Sequence, residues 1–230
     1  MLEQLPLKFN LLDNVNFANF FFSHNNQQLY FTLKNFLDPS NPEQFFYLIG
    51  NKKAGKTHLL QACCSKALEN NIPAMYICVD NLLNIDLLDG LENLSLLCLD
   101  NINCIVANPS IEEKLFYLFN SMRAKHHKLI VAADCTPNNL TLQLPDLKSR
   151  MTWGITYYLH GLTDQEKISA LIMRAEQIGL ELNNSVANFL LSRVSRSTGQ
   201  LFEVLEKLDH ASLAAKRRLT IPFVKEVLSL

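Results

Sequence analysis

A chain of 230 residues that is 48% hydrophobic has room for one large domain or two small ones. Its formal net charge of −1 disfavours strong autonomous DNA binding, which needs a clear basic excess or patch. No apolar run approaches the roughly 20 residues of a membrane helix, and the N-terminus has neither a basic region nor an apolar signal core. A cytoplasmic protein without a membrane partner is therefore expected.

Residues 45–49, Phe-Phe-Tyr-Leu-Ile, form a short apolar run rich in aromatics, as a buried parallel strand should. Gly50-Asn51-Lys52-Lys53-Ala54-Gly55-Lys56-Thr57 follows directly and fills the pattern Gly-x4-Gly-Lys-Thr. The glycines let backbone N–H groups turn inward around a phosphate. Lys56 supplies a cation for the β and γ oxygens, and Thr57 a hydroxyl for Mg²⁺. Next, Leu59, Leu60, Ala62, Cys63, Ala67 and Leu68 recur at helical spacing until Asn71-Ile72-Pro73 breaks the chain. That helix would point its N-terminal dipole at the phosphates, with His58 in its first turn. The predicted ligand is a purine nucleotide, ADP or ATP, with Mg²⁺.

Residues 74–79 read as the next strand, and 94–99 as another that ends in Asp100. A helix is predicted over 111–125, with Ile111, Leu115, Leu118, Phe119 and Met122 on one stripe; 129–133 and 155–159 are further strands. This alternation predicts a parallel sheet covered by helices on both faces. The pattern changes near residue 160. Thr163 and Glu166 make a capping box, and Gly179 suits the C-terminus of that helix. Helices are expected over 184–195 and 199–216, and Thr220 with Pro222 opens a short last one. The expected organisation is an extended segment over 1–12, an α/β nucleotide-binding core over 13–160, and a helical lid over 161–230. Cys63, Cys64, Cys78, Cys98, Cys104 and Cys135 lack Cys-x2-Cys spacing and fall mostly in apolar runs. They read as structural thiols in a reducing compartment rather than a zinc site.

Downstream of a phosphate loop, an apolar strand ending in a carboxylate such as Asp100 supports the Mg²⁺ or its water shell. The next residue is Asn101. An amide can hydrogen-bond the attacking water but cannot take its proton, so a competent pocket with weak intrinsic hydrolysis is predicted. The alternative is that another group, such as Asp134 after the next strand, positions the water. The basic clusters Lys52/Lys53, residues 123–128 and Lys216-Arg217-Arg218 read as solvated faces or helix ends.

The phosphate loop, the sequence Leu99-Asp100-Asn101, residues 132–137 (Ala-Ala-Asp-Cys-Thr-Pro) and residues 144–154 (Leu-Pro-Asp-Leu-Lys-Ser-Arg-Met-Thr-Trp-Gly) together resemble the AAA+ ATPases of the bacterial replication initiator family, DnaA. The likeness covers nearly the whole chain. It implies an AAA+ core and lid, a sensor 1 position at Asp134, and an arginine at Arg150 that reaches the nucleotide of a neighbouring subunit. A guanidinium there stabilises charge developing on the transferred phosphoryl group. Phe17 and Phe20 resemble the family's Phe-x-x-Phe segment beside the adenine; core packing is an equal reading. Gln4-Leu5-Pro6-Leu7-Lys8-Phe9 resembles the hexapeptide by which replication proteins dock on the β sliding clamp. There an extended peptide would lay Leu5, Leu7 and Phe9 in an apolar groove, with Gln4 as a polar anchor.

The likeness departs from the full initiator in three ways. No helix-turn-helix module is expected after residue 230. Gly199 stands where the family carries its sensor 2 arginine, for which Arg196 is the substitute candidate. Residues 219–228 look like the end of the short regulators that inactivate the initiator. The resemblance thus implies a nucleotide-bound regulator, with DnaA and the clamp as partners and self-association through the Arg150 face as a further option. An autonomous ATPase, such as a helicase loader, and a DNA-binding initiator fragment are the competing readings.

Overall fold

The computed structural model describes residues 15–81, 85–105, 109–194 and 197–230. Gln4, Leu5, Leu7 and Phe9 of the candidate clamp segment, and Arg196, lie outside the described residues. The described residues divide into two compact units, one of residues 15–20 and 25–160 and the other of residues 21–24 and 161–230.

The first unit is built on five parallel strands: β1 (Phe45–Gly50), β2 (Ala74–Cys78), β3 (Leu96–Asp100), β4 (Lys128–Ala133) and β5 (Ile155–Leu159). Their order across the sheet is β2-β3-β4-β1-β5. β1, β3 and β4 are the inner strands, and β1 and β3 are buried along their whole length, which is why they read as unbroken apolar runs. The run at 94–99 begins later than its hydrophobicity suggests. A 3₁₀ turn over Leu91–Asn93 closes with the Leu94 N–H on the Leu91 carbonyl, so pairing starts at Leu96.

Successive strand side chains point to opposite faces. Tyr47, Ile49, Leu97, Leu99, Leu129 and Val131 pack with α3 (Pro109–Ala124), through Leu115, Leu118, Phe119 and Met122. On the other face, Phe46 meets Phe36 of α1 (Gln27–Phe36), with ring centroids 5.4 Å apart. Cys98 there faces Cys64 of α2 (Lys56–Glu69). Burial pushes the Cys63 and Cys98 thiols well above their ordinary range, so both stay protonated and pack as small apolar groups. The fold is therefore α/β with helices on both faces of a parallel sheet.

α1 carries no boundary signal in the sequence. Asn26 makes no capping bond to its first turn, and its buried stripe of Leu29, Leu33 and Phe36 is interleaved with Tyr30 and Phe31. α4 (Pro145–Met151) is a second helix that periodicity does not predict, because seven residues are too few to establish a stripe.

The second unit holds α5 (Asp164–Gln177), α6 (Asn184–Arg193), α7 (Thr198–Ala215) and α8 (Ile221–Leu228). The Thr163–Glu166 capping box is formed: the Glu166 carboxylate accepts the Thr163 N–H at 2.8 Å and Thr163 Oγ1 accepts the Glu166 N–H at 3.3 Å. Asn183 caps α6 at Val186 N and Thr220 caps α8 at Phe223 N. Leu171, Leu190, Leu201, Leu205, Leu208 and Val224 are fully buried at the centre of the unit. Each such burial is worth about 1.5–3 kcal/mol. Among the described residues, no helix is long and apolar enough to cross a membrane.

Candidate functional site

The phosphate loop joins β1 to α2 at the C-terminal edge of the sheet, where ligands of open α/β sheets bind. Gly55 takes a left-handed conformation, φ +106°, and a Cβ on it would lie 2.7 Å from Phe20 Cε2. Only glycine meets both conditions. A Cβ on Gly50 would come within 3.1 Å of the Leu159 carbonyl. α2 begins with no side-chain cap and no acidic residue in its first turn. Its free N–H groups and positive dipole end therefore face the loop, as an anion site requires.

Lys56 is only 6% exposed. Its Nζ donates to the Gly50 carbonyl at 2.6 Å and the Asn51 carbonyl at 3.1 Å. An ammonium has three donors, so one remains for a phosphate oxygen. Burial holds the Lys56 pKa below its ordinary value, an effect that the charges of Asp100 and Asp134 offset only in part. Lys52 and Lys53 are exposed on the outer side of the loop. Phe20 lies on Gly55 and stacks edge-on with His58, 5.3 Å between centroids. His58 Nε2 is 3.1 Å from the Asn16 carbonyl and 3.0 Å from Asn19 Oδ1. His58 thus links the turn at Phe17–Asn19 to α2. Phe17 packs edge-on against Tyr30 of α1 at 5.8 Å.

Asp100 is fully buried at the end of β3. It accepts Thr57 Oγ1 at 2.5 Å, the Tyr76 hydroxyl at 3.0 Å and the Asn101 N–H at 2.9 Å. Thr57 directs its hydrogen at Asp100, which leaves its lone pairs for a cation. The donor set of Thr57, Asp100 and nucleotide phosphates fits Mg²⁺, which prefers oxygen ligands and keeps several waters. A bound Mg²⁺ would neutralise phosphate charge there. Asn101 sits in the left-handed region at φ 56° and directs its amide away, donating to Asp80 Oδ2 at 2.9 Å. Asp134 follows β4, donates its N–H to Asn103 Oδ1 at 3.2 Å, and acts on Lys56 through its charge. Thr57, Asp100, Lys56 and Asp134 thus converge on one corner.

Arg150 lies in α4 and is partly buried. Its Nε donates to Asn120 Oδ1 at 3.2 Å, and its guanidinium carbon is 3.9 Å from the centre of the Trp153 ring. Arg123 lies over the same ring at 4.2 Å. Stacking of this kind is worth about 0.5–2 kcal/mol. Among the described residues, Arg150 pairs with no carboxylate, so its charge is oriented but not neutralised. Gly154, at φ +73°, brings Trp153 into place; a side chain at 154 would strike the Phe45 carbonyl.

Sequence reasoning does not find the group that sets α4. Leu144 offers no side-chain cap. Instead Glu112 of α3, fully buried, accepts the Leu144 N–H at 2.7 Å and the Gln143 N–H at 2.8 Å. Its one visible signal is a carboxylate on the apolar stripe, three residues before Leu115. Tyr76, Asp80 and Asn120 likewise join the site only through contacts between residues far apart in the chain.

Residues 11–158 match the family described as the bacterial DnaA ATPase domain, and residues 164–228 match the Hda lid domain. A Haemophilus influenzae protein described as uncharacterized is 41% identical over 233 residues, spanning all of both chains. Domain III of the replication initiation protein DnaA from Thermotoga maritima shares the fold with a TM-score of 0.80 at 21% identity, over 94% of this chain and 96% of that one. AMPPCP-bound DnaA from Aquifex aeolicus does so with a TM-score of 0.74 at 22% identity, over 86% of this chain and 65% of that one. The two family matches meet at the boundary where strands give way to helices: this chain belongs to the DnaA family of AAA+ proteins, and its helical unit is a lid of the Hda type.

Proposed function

We propose that the protein is a negative regulator of replication initiation. It holds ADP or ATP with Mg²⁺ at residues 50–57, docks through Gln4, Leu5, Leu7 and Phe9 on a DNA-loaded β sliding clamp, and delivers Arg150 to the ATP site of the initiator DnaA. The observation that carries this reading is the setting of Arg150. A guanidinium held by Asn120 and Trp153, and paired with no carboxylate among the described residues, is ready for the developing charge of another subunit's phosphoryl group. The chain's own turnover is slow in this reading. Asn101 cannot accept a proton, and its amide is engaged by Asp80. Gly199 offers no side chain to read a γ-phosphate, which favours ADP as the resident ligand. Asp80 itself supports a second reading, an autonomous ATPase, because it brings a carboxylate next to Asn101. That reading predicts ATP turnover by the purified chain alone.

Hydrolysis of initiator-bound ATP, measured with and without DNA-loaded clamp, tests the proposal. Stimulation is expected only when clamp and this protein are both present. A Gln4→Ala, Leu5→Ala double variant is expected to lose the clamp-dependent part and to bind nucleotide normally. Undiminished stimulation by the double variant would remove the clamp assignment.

A further inference from the structure

We infer that Tyr76 sets how strongly nucleotide binding depends on Mg²⁺, by holding the acceptor position on Asp100 that a metal-bound water would otherwise use. The inference rests on the nucleotide-binding reading of this site.

A carboxylate has about four acceptor positions, two on each oxygen. On Asp100, Oδ2 takes Thr57 Oγ1 at 2.5 Å and the Tyr76 hydroxyl at 3.0 Å, and Oδ1 takes the Asn101 N–H at 2.9 Å. Only one position remains, on Oδ1. The oxygen next to Thr57, the hydroxyl that would ligate the metal, has none. Mg²⁺ dehydrates reluctantly and keeps several waters. Each bound water that can donate to a carboxylate gains a charge-assisted hydrogen bond, and here the nearest such bond is already made by a neutral phenol.

This competition is built into the sheet. Tyr76 stands on β2 opposite Cys98 of β3, and Cys78 stands opposite Asp100, so the phenol reaches two residues along the ladder, on the same face, to the carboxylate. A phenol is ordinarily protonated at neutral pH. It therefore remains a donor throughout the neutral range. The phosphates retain metal-independent partners in the free donor of Lys56 and the uncapped N-terminus of α2. ADP should lose little without metal. ATP should gain little with it, although Mg²⁺ ordinarily bridges the β and γ oxygens.

Equilibrium binding of fluorescent ADP and ATP, with Mg²⁺ and with chelator, tests this on the wild-type protein and on Tyr76→Phe. For wild type, Kd is expected to change less than about 3-fold between the two conditions. Tyr76→Phe, which frees the position, is expected to bind ATP about 10-fold or more tightly with Mg²⁺ than without it, the scale of one charge-assisted hydrogen bond. A wild-type protein whose affinity falls 10-fold or more on chelation overturns the inference, whatever the variant does. So does a Tyr76→Phe protein with wild-type metal dependence. Failure of the wild type to bind nucleotide in either condition would instead overturn the nucleotide-site reading, and this inference with it.

Discussion

Arg150→Ala is expected to reduce the stimulated hydrolysis of initiator-bound ATP about 10³-fold or more, to the initiator's own basal rate, as loss of an arginine supplied in trans does elsewhere. The chain's affinity for its own nucleotide should not change. The two readouts separate because Arg150 belongs to α4 and bonds to Asn120 and Trp153, whereas the phosphate loop is held by Lys56, Phe20 and Asp100. Arg150→Lys is expected to fail almost as badly. A lysine keeps the charge but not the planar fork that stacks on Trp153 and that would bond two phosphoryl oxygens in the proposed role. Single-turnover hydrolysis by labelled initiator, with nucleotide binding to the variant measured in parallel, checks both statements.

Lys56→Ala is expected to weaken ADP and ATP binding about 100-fold or more. Truncating one partner of a buried, hydrogen-bonded charge pair costs about 2–5 kcal/mol. With a phosphate bound, Lys56 would be such a partner: it is 6% exposed, is tied to two loop carbonyls, and feels the negative charges of Asp100 and Asp134. Without it, the loop would offer those carboxylates and the phosphates no buried side-chain cation. Equilibrium dialysis with labelled nucleotide measures the loss. Stimulation of the initiator should fall with it if nucleotide shapes the presented surface, and persist if nucleotide is incidental.

Residues that act within a short stretch were legible in the sequence. The phosphate loop is contiguous, so its glycines, Lys56 and Thr57 declare themselves together. β1 and β3 are buried on both faces, so their runs are unbroken. The Thr163–Glu166 box is a bond between residues three apart. What stayed hidden depends on residues brought together from afar. Glu112 meets Leu144 across 32 positions, Tyr76 meets Asp100 across 24, and Arg150 meets Asn120 across 30. No local period encodes such pairs. α1 escaped for a different reason: its aromatic residues suit a strand as well as a helix, and only packing of Phe36 on Phe46 decides between them. Asn101 was legible as a missing acid, but its bond to Asp80, which turns the amide away, was not.

In the proposed function this chain holds its nucleotide as a ligand and promotes hydrolysis of someone else's. The most direct measurement places the label on one protein at a time. Initiator carrying γ-labelled ATP is mixed with this chain carrying unlabelled ADP on DNA-loaded clamp, and the reciprocal mixture carries the label on this chain. Phosphate released rapidly from the labelled initiator, and scarcely at all when the label starts on this chain, is the predicted result. Faster release from this chain's own nucleotide, with the initiator's ATP unchanged, would instead make this chain the ATPase and overturn its proposed role in trans.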